Sequence, residues 1–335
     1  MADDLQEKFE HKLRLSKLLV PGQRVFIACS GGPDSTALVH LLAGLRQSWK
    51  LRIGIVHFHH GLRGRSADAD MRFTEKLARS LQVPFVGGRG DVRKLALREH
   101  LSLEEAARKA RYEFLEAVAG RRRIPCLALA HTLDDQAETV LMRMIQGTGL
   151  QGLRGIRTVR KLGTANLVRP LLGFSKDEIL EYLRSRGLEF RRDETNEEES
   201  FLRNRIRRRI LPLLEREFNP RVKAALARIP EAVTDEAEAV DAFLPGALKQ
   251  TVISSGRTQT VLSRPFFVEL PRALQYRVLR TVLEKLDPRS GLPFETWEAV
   301  RGCFLERRFR HSLKRDIDID SNNDVIRIYK KKTRR

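Results

Sequence analysis

The chain has 335 residues, 63 Lys and Arg against 43 Asp and Glu, a formal charge of +20 and a pI near 10.5. With 41 % hydrophobic and 32 % charged residues it can build cores, which excludes wholesale disorder, and its length suggests about two domains. No apolar run reaches the ~18 residues of a membrane span, the N-terminus shows no secretory pattern, and the three scattered cysteines form neither a disulfide framework nor a zinc spacing. A reducing, cytoplasmic setting is expected, and the charge points to a polyanion, nucleic acid before a membrane surface.

Leu5, Phe9, Leu13 and Leu18 predict an amphipathic opening helix, ended by Pro21-Gly22. Val25 to Ala28 reads as a buried strand, Ser30 to Thr36 as a turn, and Leu38, Leu41, Leu42 and Leu45 as a helix face. The alternation continues with a strand at Ile53–Phe58, a helix at Ser66–Leu81 and a strand at Val83–Val86. Ser102 with Glu105 forms a capping box for a helix through Ala119. Ile124–Ala130 is a fourth strand, His131–Ile145 a fourth helix, and Leu167–Leu172 a last strand. A glycine-rich loop, residues 147–155, lies between them, and Ser175 with Glu178 caps a helix closed by Gly187. Acids then crowd residues 193–199 and arginines residues 203–209. A domain boundary is expected near Pro212 and Pro220, followed by helices at 222–248 and 271–286 and short strands at 317–319 and 325–329. The fold class is α/β, a Rossmann-like, mostly parallel sheet with helices on both faces. A smaller, mainly helical C-terminal domain with short terminal strands follows.

Ligands of such sheets bind at the carboxyl ends of the strands. Two segments fall there. In Ser30-Gly31-Gly32-Pro33-Asp34-Ser35 the glycines let backbone N–H groups approach an anion and the hydroxyls add donors. A carboxylate among phosphates suggests that Asp34 holds a bridging Mg²⁺. The absence of a following Lys excludes the Walker-type loop. In the second segment His131, Asp135 and Glu138 fall at i, i+4 and i+7, with Asp134 beside them. These carboxylates suit either Mg²⁺ or an ammonium group; with the histidine they could also suggest zinc, though H-x-x-x-D-x-x-E is not a common zinc pattern, and helix-dipole compensation is the bland alternative.

Three further clusters are two-sided. His57, His59 and His60 suit a metal or plain strand-end polarity. Arg108 and Arg111 share a helix face, as a solvated stripe or as a clamp on triphosphate or RNA phosphate. Phe201 to Arg207, with Arg203, Arg205 and Arg207, suits an RNA backbone or offsets the preceding acids.

The Ser30–Ser35 segment resembles the PP-loop of the ATP pyrophosphatase superfamily. His60 to Arg63, Arg108 to Tyr112, Ala130 to Thr139, Gly147 to Leu153, Arg169 to Leu172 and Asp193 to Arg205 extend the likeness, in order over roughly residues 20–215, to the tRNA(Ile)-lysidine synthetase family. Gln146 departs from the Arg usual in that family, and longer members add a second C-terminal module. The resemblance implies a PP-loop ATP pyrophosphatase domain at 1–215, a tRNA-binding domain at 216–330 and a basic tail at 331–335. It implies adenylation of C2–O of the wobble cytidine in the minor isoleucine tRNA (CAU anticodon), then attack by the ε-amine of L-lysine, with AMP and pyrophosphate released. ATP is the co-substrate and Mg²⁺ the metal. Ser30, Gly31, Gly32, Pro33, Asp34 and Ser35 would bind ATP, and Asp34 and Asp135 the metal. Asp34, His131, Asp135, Glu138 and Arg111 would be catalytic. Arg63, Arg203, Arg205 and Arg207 would contact RNA. No membrane partner is expected, and a homodimer is compatible with the sequence. Sulfur transfer, as in PP-loop thiolases, is disfavoured by the lack of C-x-x-C; a non-catalytic RNA binder is the alternative of another class.

Overall fold

The computed structural model describes residues 2–61, 65–191, 202–287, 292, 294–304, 306, 308–314 and 316–331. They divide into two compact units, residues 1–145 with 155–230 and residues 146–154 with 231–335. The sequence reading put the break at 215/216.

The first unit is built on a six-stranded sheet of order β3-β2-β1-β4-β6-β5. Its strands are β1 (Arg24–Ala28), β2 (Arg52–His59), β3 (Phe85–Arg89), β4 (Cys126–Ala128), β5 (Val159–Leu162) and β6 (Ala165–Val168). All are parallel except β5, which pairs antiparallel with β6. Period-2 alternation assigns the faces. Val25, Ile27, Ile53, Ile55, Cys126 and Ala128 join the core beneath α1 (Ala2–Ser16), α2 (Pro33–Gly44), α3 (Arg65–Ser80) and α8 (Lys176–Ser185). Phe26, Val56, Leu127 and Leu167 point the other way, against Leu115, Val118 and Ala119 of α5 (Leu103–Arg122). A helix-covered parallel sheet of this order has its switch point between β1 and β4, and the crevice there is the ligand site of doubly wound folds.

Both expected capping boxes form, Ser102 with Glu105 on α5 and Ser175 with Glu178 on α8. A further helix, α4 (Val92–Glu99), precedes α5. Two boundaries differ from the sequence reading. The last parallel strand stops at Val168, because the chain turns at Arg169-Pro170, where proline has no N–H for a ladder. The helix expected from His131 is α6, Leu133–Ile145. Thr132 closes its first turn: the Asp135 amide donates to Thr132 Oγ1 (3.3 Å), and the Thr132 amide and hydroxyl donate to Asp135 Oδ2 (2.9 and 3.1 Å). His131 therefore stands before the helix, in the loop from β4.

Along the chain follow α7 (Leu150–Leu153), α9 (Leu202–Arg205), a π-helical turn at Ile206–Ile210, α10 (Leu211–Glu217) and α11 (Val222–Asp241). Pro212 in the first turn of α10 cannot donate a hydrogen bond and crowds the preceding turn, and the ring widens so that the Leu211 amide reaches the Ile206 carbonyl.

The second unit carries α12 (Leu244–Thr251), α13 (Arg264–Glu269), α14 (Arg272–Leu286) and α15 (Phe294–Cys303). Its sheet is antiparallel, of order β7-β8-β11-β10-β9: β7 (Val252–Ser255), β8 (Gln259–Ser263), β9 (Phe309–Lys314), β10 (Ile317–Ser321) and β11 (Val325–Lys330). Trp297, Phe267, Leu283 and Ile328 sit in its own core. Among the described residues no helix is long and apolar enough to cross a membrane.

Candidate active site

The PP-loop runs from the end of β1 into α2. Gly31 has φ +92°, a conformation that disfavours any side chain, and its carbonyl accepts from Arg191 N (2.8 Å) and Thr36 Oγ1 (3.2 Å). Ser35 Oγ accepts from the Ser30 amide (3.1 Å), donates to the Gly32 carbonyl (3.0 Å) and lies 3.1 Å from Ser30 Oγ. α2 opens at Pro33, which has no N–H, and Gly32 has no side chain to cap it, so the amides of Asp34 and Ser35 are the first that the helix offers to an anion.

This loop floors a cavity of about 190 Å³. Ser30, Asp34, Arg111 and His131 supply its polar wall, and Val56, Phe58 and Leu129 an apolar wall suited to a base. Burial pushes the Asp34 carboxyl up to about 6; Lys176 opposes this, and the neighbouring charges of Asp135 and Asp134 reinforce it. A buried oxygen donor crowded by like charges is matched to a divalent cation, and Mg²⁺ typically takes one or two carboxylates with substrate phosphates. Asp34 fits that role. Asp135 fits it less well, because both of its oxygens are already engaged.

The second segment forms a charge cluster. Glu138, 2 % exposed at its side chain, takes Arg207 in a fork, Nε to Oε1 at 2.5 Å and Nη2 to Oε2 at 2.9 Å. Arg203 bridges the two acids, Nε to Glu138 Oε2 at 2.9 Å and Nη2 to Asp135 Oδ1 at 3.0 Å. The widened turn after α9 keeps Arg203 and Arg207 on the side facing α6. Burial favours the neutral form of Asp135, but Lys176, Arg203 and the Thr132 amide outweigh it and hold its pKa below the usual range. Asp134 faces elsewhere: it accepts from the Lys176 amide (2.8 Å) and Lys223 Nζ (3.2 Å), tethering α8 and α11.

His131 lies between the loop and the cluster. Burial pulls its pKa down to about 3, Asp135 opposing and Arg169, Arg111 and Arg203 reinforcing, so the imidazole is neutral. Its Nδ1 is buried and has no hydrogen-bond partner among the described residues. His131 also lines a second cavity of about 730 Å³, whose other walls carry Arg108, Arg143, Arg157, Arg160, Arg169 and Arg203.

The structure thus gathers Ser30, Gly31, Gly32, Asp34, Ser35, Arg111, His131, Asp135 and Glu138 at the switch point. Arg203 and Arg207 are brought onto the carboxylates, whereas Arg205 is exposed on α9. Arg63, Phe201 and the acids of residues 193–199 lie outside the described residues. His57 Nδ1 is 2.8 Å from the Cys29 carbonyl and His59 Nε2 3.3 Å from Asp68, so these histidines brace strand ends. Among the described residues no group of three or more His, Cys, Asp or Glu could hold a metal ion. Sequence reasoning missed Lys176, Arg143, Arg157, Arg160 and Arg169 as parts of the site. Lys176 left a signal: a lysine in the first turn of a helix opposes the dipole and asks for another reason to be there.

Comparison with known proteins gives the chain's family. The family model of the PP-loop domain matches residues 2–214. The tRNA(Ile)-lysidine synthase of Geobacter sulfurreducens is 41 % identical over 263 residues, 78 % of this chain and 55 % of that protein. The synthase of the same name from Geobacillus kaustophilus is 34 % identical over 313 residues, 93 % of this chain and 67 % of that protein. The chain spans little more than half the length of several such relatives. Among solved structures, the U34-tRNA thiolase NcsA from Methanococcus maripaludis, with its [4Fe-4S] cluster, aligns with a TM-score of 0.57 at 20 % identity. The alignment covers 68 % of this chain and 78 % of that one, a likeness of fold.

Proposed function

The chain belongs to the PP-loop domain family, and from that premise we propose that it joins L-lysine to C2 of the wobble cytidine of a CAU-anticodon isoleucine tRNA at the expense of ATP. The observation that carries this reading is the position of His131, which lines both the PP-loop cavity and the arginine-lined cavity. A reaction that adenylates an RNA base needs a nucleotide pocket and an RNA pocket that open onto one another.

In this reading ATP lies in the smaller cavity, its base against Val56, Phe58 and Leu129 and its phosphates on the amides of the Ser30–Ser35 loop. Mg²⁺, held by Asp34, would neutralise phosphate charge. Arg111 and His131 face the α-phosphate. The cytidine O2 attacks that phosphorus, pyrophosphate leaves, and the base is activated as an O-adenylate. The neutral ε-amine of lysine then attacks C2, and AMP departs with the former O2. Charged groups that develop here are met by fixed dipoles and guanidinium groups in a partly dry site. His131 acts as a neutral hydrogen-bonding imidazole, since its low pKa removes the cationic form at working pH.

Asp135 and Glu138 are the acids available to recognise the lysine ammonium by charge-assisted hydrogen bonds, in exchange with Arg203 and Arg207. The freed arginines, with exposed Arg205, would then meet RNA phosphate. The test is stoichiometry: with tRNA, lysine and ATP all present, one AMP and one pyrophosphate are expected per lysine joined. Release of ADP and phosphate, or AMP formation that ignores lysine and RNA, would overturn the reading.

A further inference from the structure

Arg108 of α5 and Arg160 of β5 lie over the same tyrosine ring. Their guanidinium carbons stand 5.0 and 5.5 Å from the centroid of Tyr112, and that of Arg111 stands 5.6 Å from it. Arg111 reaches the nucleotide cavity, while Arg108 and Arg160 line the larger one. Among the described residues that larger cavity has one carboxylate in its wall, Glu104, against six guanidinium groups, of which Arg203 is already paired with Glu138 and Asp135.

Such an excess is unfavourable without an anion. Arg169 shows it best. It is 4 % exposed, its Nη1 donates to the Arg157 carbonyl (2.5 Å), the Tyr112 hydroxyl lies beside it, and among the described residues its buried Nε has no partner. Cation–π contact with Tyr112 offsets part of the repulsion and fixes the planes of Arg108 and Arg160, and guanidinium planes suit phosphate oxygens. The volume, about 730 Å³, falls among pockets that hold whole small-molecule ligands and exceeds the need of a single inorganic anion.

We propose that this cavity is a phosphodiester site that takes the RNA backbone phosphates flanking the target nucleotide, and that Tyr112 is the positioning residue that sets the spacing of Arg108 and Arg160. The inference rests on the function proposed above and adds to it where the RNA backbone is held. ATP phosphates are the less suitable occupant, because the amides of the Ser30–Ser35 loop belong to the other cavity.

The test uses the full chain and an anticodon stem-loop RNA, with and without neutral methylphosphonate linkages on either side of the target cytidine. In the wild type, neutralisation should weaken binding roughly tenfold. Arg160→Gln should weaken binding of the ordinary RNA by a similar factor, and the neutral linkages should then cost less than about twofold more, since the same contact is already lost. The slope of log affinity against log salt should fall by about 0.7 per phosphate contact removed. Tyr112→Ala should weaken RNA binding roughly tenfold through two lost stacking contacts, and Tyr112→Phe should rescue it. If the effects of Arg160→Gln and the neutral linkages simply multiply, the phosphodiester site is wrong. If Arg160→Gln instead weakens ATP binding or pyrophosphate inhibition, the cavity serves the leaving group and the proposal is also overturned. Lysine transfer by the wild type separates the cases: transfer with multiplying effects sinks this inference alone, whereas no transfer and no RNA binding sinks the functional reading with it.

Discussion

Arg207 grips Glu138 through two parallel hydrogen bonds, at 2.5 and 2.9 Å, across 69 residues of sequence. In the proposed reaction this buried carboxylate takes the lysine ammonium in exchange with its arginines, and its role can be separated from that of the ATP loop. Glu138→Gln should raise the KM for lysine at least tenfold and leave ATP affinity within about twofold, measured by steady-state kinetics and nucleotide binding. It should also cost about 3 kcal/mol in denaturant melts, at the low end for a broken buried pair because both arginines keep some water. An unchanged lysine KM would remove Glu138 from amine recognition.

Asp34 makes stability depend on pH in a specific direction. Its folded pKa, about 6, lies above the ordinary 3.8, so the folded state holds the proton more tightly. Its contribution is fully present below about pH 3.8 and is lost as pH rises through 6. In buffer without Mg²⁺ or ATP, Asp34→Asn should be more stable than wild type at pH 8 by up to about 3 kcal/mol, and about equal to it at pH 4. The same variant should lose turnover. A variant destabilised at pH 8 would contradict the burial, reinforced by Asp135 and Asp134, that raises the Asp34 pKa.

His131 works in the opposite sense over an overlapping range. Its folded pKa, about 3, lies below the ordinary 6.5, so the unfolded chain takes up the proton first and stability falls as pH drops through 6.5. By pH 5 this amounts to ~2 kcal/mol. His131→Gln should flatten the acid side of the melting curve, and the turnover profile of the wild type should show no limb from an imidazole near 6.5. A turnover limb that vanishes in His131→Gln would mean that the imidazole titrates in the working range.

Gly31→Ala tests the loop itself. The Cβ would meet Phe73 at 3.4 Å, an ordinary contact, so the penalty comes from φ +92°. A loss of ~1–2 kcal/mol in stability and a weakened ATP affinity are expected, read by melts and nucleotide titration. Unaltered ATP binding would show that the loop does not need this backbone.

Much of the first unit was legible because its signals are local. Val25 to Ala28 alternates between two cores, Ser102 and Ser175 carry their glutamates three residues on, and the Ser30–Ser35 run sits at a strand end. His131 was placed one element too far along, because a T-x-x-D box started the helix at Leu133 and the heptad-like spacing of the acids masked it. Arg203 and Arg207 read as an RNA stripe because their partners lie over 60 residues away, and no periodicity reports that distance. The strands β7 and β8 carry three serines, a threonine and a glutamine beside their apolar residues, so a weak alternation hid them. The arginine-lined cavity draws residues from α5, α6, β5, the turn after β6 and α9, a set that only the fold assembles.

The most direct measurement is transfer of radiolabelled lysine to a CAU isoleucine tRNA transcript with ATP and Mg²⁺, beside the CAU methionine tRNA. Label that survives alkali on the isoleucine tRNA alone is expected, because a carbon–nitrogen bond to the base resists conditions that hydrolyse an aminoacyl ester. No label, or label lost in alkali, from protein that still binds ATP would contradict lysine ligation and leave a PP-loop enzyme acting on another acceptor.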